Sequence, residues 1–269
     1  MNQQTLYVSD LDGTLLRKNE RTSAYTNEVI NRMTKQGMLF SYATARSIVT
    51  AKKVTAGLEA KIPLIVYNGA FIIDNQTGEL LAANYFEDSV KALIKDLMGH
   101  DVYPIVYAML EGAERFSYWE EKCSRGMLDF IATRNDSRKR PVRSEEELGA
   151  GRCFYISCIE SEAKLKPLYE KYQEQYHCVY HKDIYSGEQW LEIMPKQTTK
   201  AHAICQLKRL LNCSRVVAFG DGINDREMFQ IADESYAVAN AAEALKQLAT
   251  GVIGSNEDDG VAHWLEENA

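Results

Sequence analysis

The chain has 269 residues, of which 45% are hydrophobic and 26% charged, and its formal charge is -7. That length buries a good core as one large domain or two smaller ones, and the composition is that of an ordinary globular protein. The negative balance argues against nucleic acid or an anionic membrane as the main partner, and no stretch approaches the roughly 18 apolar residues of a spanning helix.

The start, Met1-Asn2-Gln3-Gln4-Thr5, has neither a basic region nor a long apolar run. No signal peptide is read there, and a cytoplasmic location is expected. Six scattered cysteines form no C-x-x-C pair. They are read as reduced, mostly buried small hydrophobes rather than a disulfide framework.

Leu6 and Val8 mark a buried strand that ends in Asp10-Leu11-Asp12-Gly13-Thr14. Two carboxylates two residues apart at a strand end repel one another. A cation, a shared proton or water must relieve them. Gly13 suits a tight turn or the close approach of backbone N–H groups to an anion. The stretch therefore reads as a metal-assisted carboxylate site facing a phosphate, with a calcium-type loop or a plain surface turn as the alternatives.

Thr22 or Ser23 caps a helix to about Gln36, with Val29, Ile30 and Met33 as its apolar stripe and Gly37 as its end. Met38 to Ala43 is a second buried strand, closing on Thr44-Ala45-Arg46-Ser47. A helix to about Leu58 and a strand from Pro63 to Tyr67, ending in Asn68-Gly69, complete a β-α-β-α-β pattern. That pattern predicts a parallel sheet whose ligands sit beyond the carboxyl ends of its strands, where Asp10, Thr44 and Asn68 fall.

Residues 71–83 read as a β-hairpin turning at Asn75-Gln76-Thr77-Gly78. From about Phe86 to Tyr185 helices (88–98, 121–133, 162–175) and strands (103–109, 114–119, 153–159) mix irregularly. This stretch is expected to be a separate α+β domain inserted into the sheet domain. Within it Arg134 to Glu147 reads as a solvated charged loop, and His177 to His181 as a strand. Arg115, Tyr118 and Trp119 are candidate substrate contacts.

The parallel pattern is expected to return with a strand at Trp190–Met194. Thr198 or Thr199 then caps a helix to about Leu211. A strand at Arg215–Phe219 ends in Gly220-Asp221-Gly222-Ile223-Asn224-Asp225. A helix at 226–231, a strand at 235–239 and a last helix at 258–267 follow. Carboxylates from two strand ends suit a hard cation such as Mg²⁺, while a hydroxyl and a lysine suit phosphoryl oxygens. A carboxylate beside such a phosphorus can attack it.

At these residues the chain resembles the haloacid dehalogenase-like phosphatases, and most of all their Cof-type branch with a large α/β cap. Asp10-Leu11-Asp12-Gly13-Thr14 is similar to the first motif of that family, Thr44 to the second, Lys200 to the third and Gly220 to Asp225 to the fourth. Asn68-Gly69-Ala70 is similar to the branch's own segment. The resemblance implies a Rossmann-like α/β core at 1–83 plus 187–269 and a specificity cap at 84–186.

It further implies Mg²⁺-dependent hydrolysis of a small phosphorylated metabolite, a sugar phosphate or a cofactor phosphate such as FMN or pyridoxal phosphate, through an aspartyl-phosphate. Asp10 would be nucleophile and metal ligand. Asp12 would be general acid and base, and a metal ligand through its carbonyl. Asp221 would be the third protein ligand, with Asp225 supporting the metal site. Thr44, Lys200, Asn224 and the amides of Leu11 and Ala45 would hold the phosphoryl oxygens. A phosphotransferase or mutase of the same fold, or a non-catalytic phosphometabolite sensor, are the alternatives. Two positions depart from the family pattern: Ala45 replaces the usual glycine after Thr44, and Ala201 a common glycine after Lys200.

Overall fold

The structure, a computed structural model, describes residues 4–59, 63–134, 136–182 and 187–269. The chain divides into two compact units, Met1–Ala83 with Thr199–Ala269, and Asn84–Thr198.

The first unit opens with β1 (Thr5–Ser9), α1 (Ala24–Lys35), β2 (Leu39–Tyr42), α2 (Ile48–Val54), β3 (Leu64–Val66), β4 (Phe71–Ile73) and β5 (Leu80–Ala83). The second contains α3 (Val90–Gly99), β6 (Ile105–Leu110), β7 (Ala113–Tyr118), α4 (Arg125–Ala132) and β8 (Lys139–Pro141). It continues with α5 (Glu145–Leu148), β9 (Arg152–Glu160), α6 (Glu162–Tyr172), β10 (His177–Lys182) and β11 (Gln189–Met194). The chain then returns through α7 (Lys200–Leu210), β12 (Arg215–Gly220), α8 (Arg226–Ile231), β13 (Glu234–Val238), α9 (Glu243–Lys246), β14 (Gly251–Ile253) and α10 (Gly260–Asn268).

In the first unit a parallel sheet runs β14-β13-β12-β1-β2. Its central strands are continuously apolar because helices remove both faces from water. Leu6, Val8 and Val217 to Phe219 are all buried. Local signals place the helices. Ser23 accepts a hydrogen bond from the Thr26 N–H and starts α1, whose Val29, Ile30 and Met33 enter the core, and α1 packs against α10. Phe219 meets Trp264 of α10 at 5.1 Å between ring centroids.

Strand order steps one way from β1 to β2 and the other way from β12 to β14. The switch point therefore lies at the carboxyl ends of β1 and β12, where ligands gather in such sheets. Among the described residues the third expected parallel strand contributes one bridge, Ala43 to Ile65. It pairs instead with β4 in an antiparallel sheet, β3-β4-β5, because the chain reverses at Tyr67 to Gly69. All three of those residues lie at positive φ.

The second unit is a mixed sheet, β10-β11-β9-β6-β7-β8, with α3 and α6 packed on one apolar face. The expected domain boundary at 186/187 borders residues 183–186, outside the described residues. Strand β11 nonetheless corrects it. Gln189 to Met194 pairs antiparallel with β10 and β9, so the second crossing falls after Thr198. Its alternating apolar residues fit a strand of either sheet, and only pairing decides.

The charged stretch is not simply a loop. Arg138 is 7% exposed, bonded to Asp136 and Glu114, and leads into β8. Of the candidate contacts, Tyr118 is buried and stacked on Phe116, and Trp119 packs beside Tyr103 on the apolar core. Both aromatics therefore contribute to the packing of this unit. Cys153, Cys158 and Cys213 are buried, Cys123, Cys178 and Cys205 half-buried, and all six are free. Among the described residues no helix is long and apolar enough to cross a membrane.

Candidate active site

Register builds the site. Ser9 pairs with Tyr42 on one side and Phe219 on the other, so Asp10 emerges between the ends of β2 and β12. Its N–H donates to the Phe219 carbonyl at 2.9 Å, and the Ala43 N–H donates to the Ser9 carbonyl at 2.9 Å. Asp10, Thr44 and Asp221 are thus fixed by main-chain ladders rather than by side-chain preference.

After Asp10 the chain makes one wide turn over Leu11–Leu15, with Gly13 at φ +75°. A Cβ there would lie 2.2 Å from Asp221 Oδ2, so only glycine fits, for reasons of both conformation and space. Asn240 braces the turn by donating to the Gly13 carbonyl at 2.7 Å, and Asn256 donates to the Leu16 carbonyl at 2.8 Å. Gly220 similarly leaves room for Asp225, whose side-chain atoms would press within 2.7–2.9 Å of any Cβ.

Lys200 is the first residue of α7, started by Thr199, whose side chain accepts from the His202 N–H. Ala201 leaves that start intact. The Lys200 Nζ donates to Asp10 Oδ1 at 2.5 Å and to Asp225 Oδ1 at 2.8 Å, and all three side chains are almost wholly buried. Asp225 Oδ2 accepts the N–H groups of Asp221 and Gly222 at 3.0 and 3.2 Å, so both its oxygens are committed. Asp10 retains Oδ2.

Asp10, Asp221 and Asp225 each bring a carboxylate oxygen within 4.8 Å of the others. Against these three stands, among the described residues, the one ammonium of Lys200. Burial pushes the Asp10 carboxyl well above its usual range, Lys200 opposing and Asp225 reinforcing the shift. Burial, then Asp225, pushes Asp221 up to about 6. Burial alone would lower Lys200, but Asp10 and Asp225 outweigh it and hold the ammonium. An all-oxygen, charge-deficient set of this kind fits a hard divalent cation, with Asp10 and Asp221 as the carboxylates having capacity to spare.

Thr44 is fully buried, and its hydroxyl oxygen accepts from the Arg46 N–H at 3.1 Å. Asn68 donates its N–H to the Thr44 carbonyl at 2.9 Å. Among the described residues nothing accepts the N–H of Leu11 or of Ala45. Ala45 does not lie at positive φ, so the loop does not require glycine there. Asn224 is exposed at the rim, its amide folded over Gly222.

Asp12 points to a partner that the sequence did not disclose. Arg46 Nε and Nη2 grip its carboxylate at 2.6–3.1 Å, and Nη2 also reaches Glu20 at 3.1 Å. The two residues are 34 apart in sequence. The only sequence signal was a basic residue two positions after Thr44.

A family profile described as haloacid dehalogenase-like hydrolase matches residues 7–265. Among curated relatives, the Bacillus subtilis 5-amino-6-(5-phospho-D-ribitylamino)uracil phosphatase YwtE is 28% identical, the alignment covering 96% of each chain. The HMP-PP phosphatase of Serratia proteamaculans is 27% identical over 97% of this chain and 94% of its own. The crystal structure of a Thermotoga maritima protein superposes with a TM-score of 0.82 at 24% identity, covering 99% of this chain and 98% of that one, a likeness of fold.

Proposed function

The chain belongs to the haloacid dehalogenase-like hydrolases, and we propose that it is a Mg²⁺-dependent phosphatase of small phosphomonoesters acting through an aspartyl-phosphate on Asp10. One observation carries this reading. Asp10 has one oxygen tied to Lys200 and the other uncommitted, and it stands at the sheet's switch point beside the uncommitted N–H groups of Leu11 and Ala45.

In the first step the free oxygen of Asp10 forms a bond to phosphorus and the ester P–O bond breaks, while Asp12 gives its proton to the departing alkoxide. In the second, water attacks the phosphorus of the acyl phosphate and Asp12 takes its proton. The Asp10–phosphorus bond breaks and phosphate leaves. Lys200, the Thr44 hydroxyl, Asn224 and the two amides would hold the phosphoryl oxygens, acting where charge develops. Asp10, Asp221 and the Asp12 carbonyl would hold the Mg²⁺, whose contribution when bound is neutralisation of phosphoryl charge.

The two curated relatives are named for different phosphorylated metabolites, so the substrate is assigned as a class: a small phosphorylated metabolite, sugar phosphate or cofactor phosphate. The second unit, residues 84–198, is the specificity domain in this reading.

The test is phosphate release from a panel of phosphorylated sugars, nucleotides, FMN and pyridoxal phosphate, with Mg²⁺ and with EDTA. Release that needs Mg²⁺ and falls by at least about 10³-fold in Asp10→Asn is expected. Binding of panel members without turnover would overturn the hydrolase reading in favour of a sensor. Transfer to an added alcohol in preference to water would make the enzyme a phosphotransferase.

A further inference from the structure

The Arg46–Asp12 pair is more than a surface ion pair. Asp12 is 51% exposed and Glu20 57%, whereas the Arg46 side chain between them is only 22% exposed. Exposed pairs of long side chains contribute little, because each partner wanders. Here the main chain of one partner is fixed and its side chain is largely shielded from water. The Arg46 N–H is held by the Thr44 hydroxyl at 3.1 Å, and its carbonyl accepts the Tyr67 N–H at 3.0 Å. Ser47, the next residue, caps α2. The guanidinium therefore hangs from the same rigid loop that carries Thr44.

We propose that Arg46 is the positioning residue for Asp12: it fixes the plane of that carboxylate relative to the Thr44 loop, so that Asp12 delivers and recovers its proton at the phosphoryl group held there. This rests on the phosphatase reading above. A forked guanidinium sets both distance and plane, which a point charge does not. The fork makes two contacts to Asp12 Oδ1 and one to Oδ2, so the oriented carboxyl keeps Oδ2 capacity for carrying or taking a proton. Glu20, bonded to the same Nη2, keeps the guanidinium from swinging away.

The experiment is a double-mutant cycle with Arg46→Ala, Arg46→Lys and Asp12→Asn in the full chain. Arg46→Ala is expected to lower kcat by about 10- to 100-fold, the cost of a misplaced reacting group, with KM held within about threefold. In the Asp12→Asn background the same change should cost under about twofold, since nothing remains to position. Arg46→Lys keeps the charge but loses the fork and should recover little.

An equal loss in both backgrounds would overturn the proposal, and a loss confined to KM would make Arg46 a substrate contact instead. A readout free of turnover separates this from the phosphatase reading. The Arg46 Nε–H resonance, identified by its disappearance in Arg46→Lys, should exchange slowly and shift in Asp12→Asn. No shift would overturn the positioning role even in an active enzyme. An inactive wild type with that shift present would overturn the phosphatase reading, and with it the role in proton transfer.

Discussion

Each unit buries a cation among carboxylates, and the two do it with opposite results. In the second unit Arg138 bonds Asp136 and Glu114 at 2.8 and 2.7 Å, and the Asp136 carboxyl is held below its ordinary range by that guanidinium. In the first, one ammonium serves Asp10 and Asp225 with Asp221 adjacent, and Asp10 and Asp221 are both pushed up. The Arg138 pairs keep partial contact with water, their acids 15% and 27% exposed, while Asp10 and Asp225 have almost none. A cluster that satisfies itself is a brace. A cluster left short of positive charge has room for a cation, which in the proposed function supplies what the fold withholds.

Removing each cation should expose that difference most sharply. Lys200→Ala strips from the three carboxylates the one ammonium that, among the described residues, bonds two of them, and breaking a buried pair costs about 3–5 kcal/mol. We expect phosphatase activity to fall at least about 10³-fold, as for an electrostatic group at the reacting centre. Millimolar Mg²⁺ should restore much of the lost thermal stability but not the activity. Should Mg²⁺ leave the melting temperature unchanged in both wild type and variant, the acidic cluster is not a cation site.

Arg138→Met should cost less, about 1.5–3 kcal/mol for hydrogen bonds to a charged group. That loss should be indifferent to Mg²⁺, with kcat altered by under about threefold. Chemical denaturation with and without Mg²⁺, beside steady-state kinetics, checks both halves. A Mg²⁺-dependent loss would erase the contrast between the units.

A milder change tests the sign of the charge deficit. The Asp221 carboxyl rises from an ordinary 3.8 to about 6 on folding. Across that window the folded chain binds more protons than the unfolded one. Its contribution to stability is thus greatest below the window and is lost as pH rises through it. In the metal-free protein Asp221→Asn should therefore raise the melting temperature relative to wild type at pH 7. The gain should shrink towards pH 5 and reverse in sign when Mg²⁺ is saturating, because the variant binds the ion less well. A variant less stable than wild type at pH 7 without metal would mean that Asp221 is already satisfied within the fold.

What the sequence disclosed follows the same divide between local and tertiary causes. Asp10, Thr44 and Asp221 were legible because a strand's end and its following loop are local, and a parallel sheet gathers such ends by rule. Lys200 was legible as the residue after a threonine cap. Three features were not. The allegiance of β11 depended on pairing, since its alternation fits either sheet. The burial of Arg138 depended on Glu114, 24 residues away, and a charged run gives no hint of it. The Arg46–Asp12 grip and the Asn240 and Asn256 braces join loops distant in sequence, and no periodicity encodes them.

Ala45 supplies the smallest expected effect. The usual glycine would be needed only if the loop turned through positive φ or if a Cβ met a neighbour. Ala45 lies outside the left-handed region and its side chain is exposed, so neither condition holds. Its role in the phosphatase reading is its N–H, which alanine and glycine present alike. Ala45→Gly frees the backbone next to Arg46 without removing a contact, at a cost of roughly 0.5–1 kcal/mol at most if the change acts through unfolded-chain entropy. Activity should stay within about twofold, with any loss appearing in kcat rather than KM as the Arg46 fork loosens. A rise in KM alone would mean instead that the Ala45 methyl group itself contacts the substrate, and that this departure from the family pattern tunes specificity.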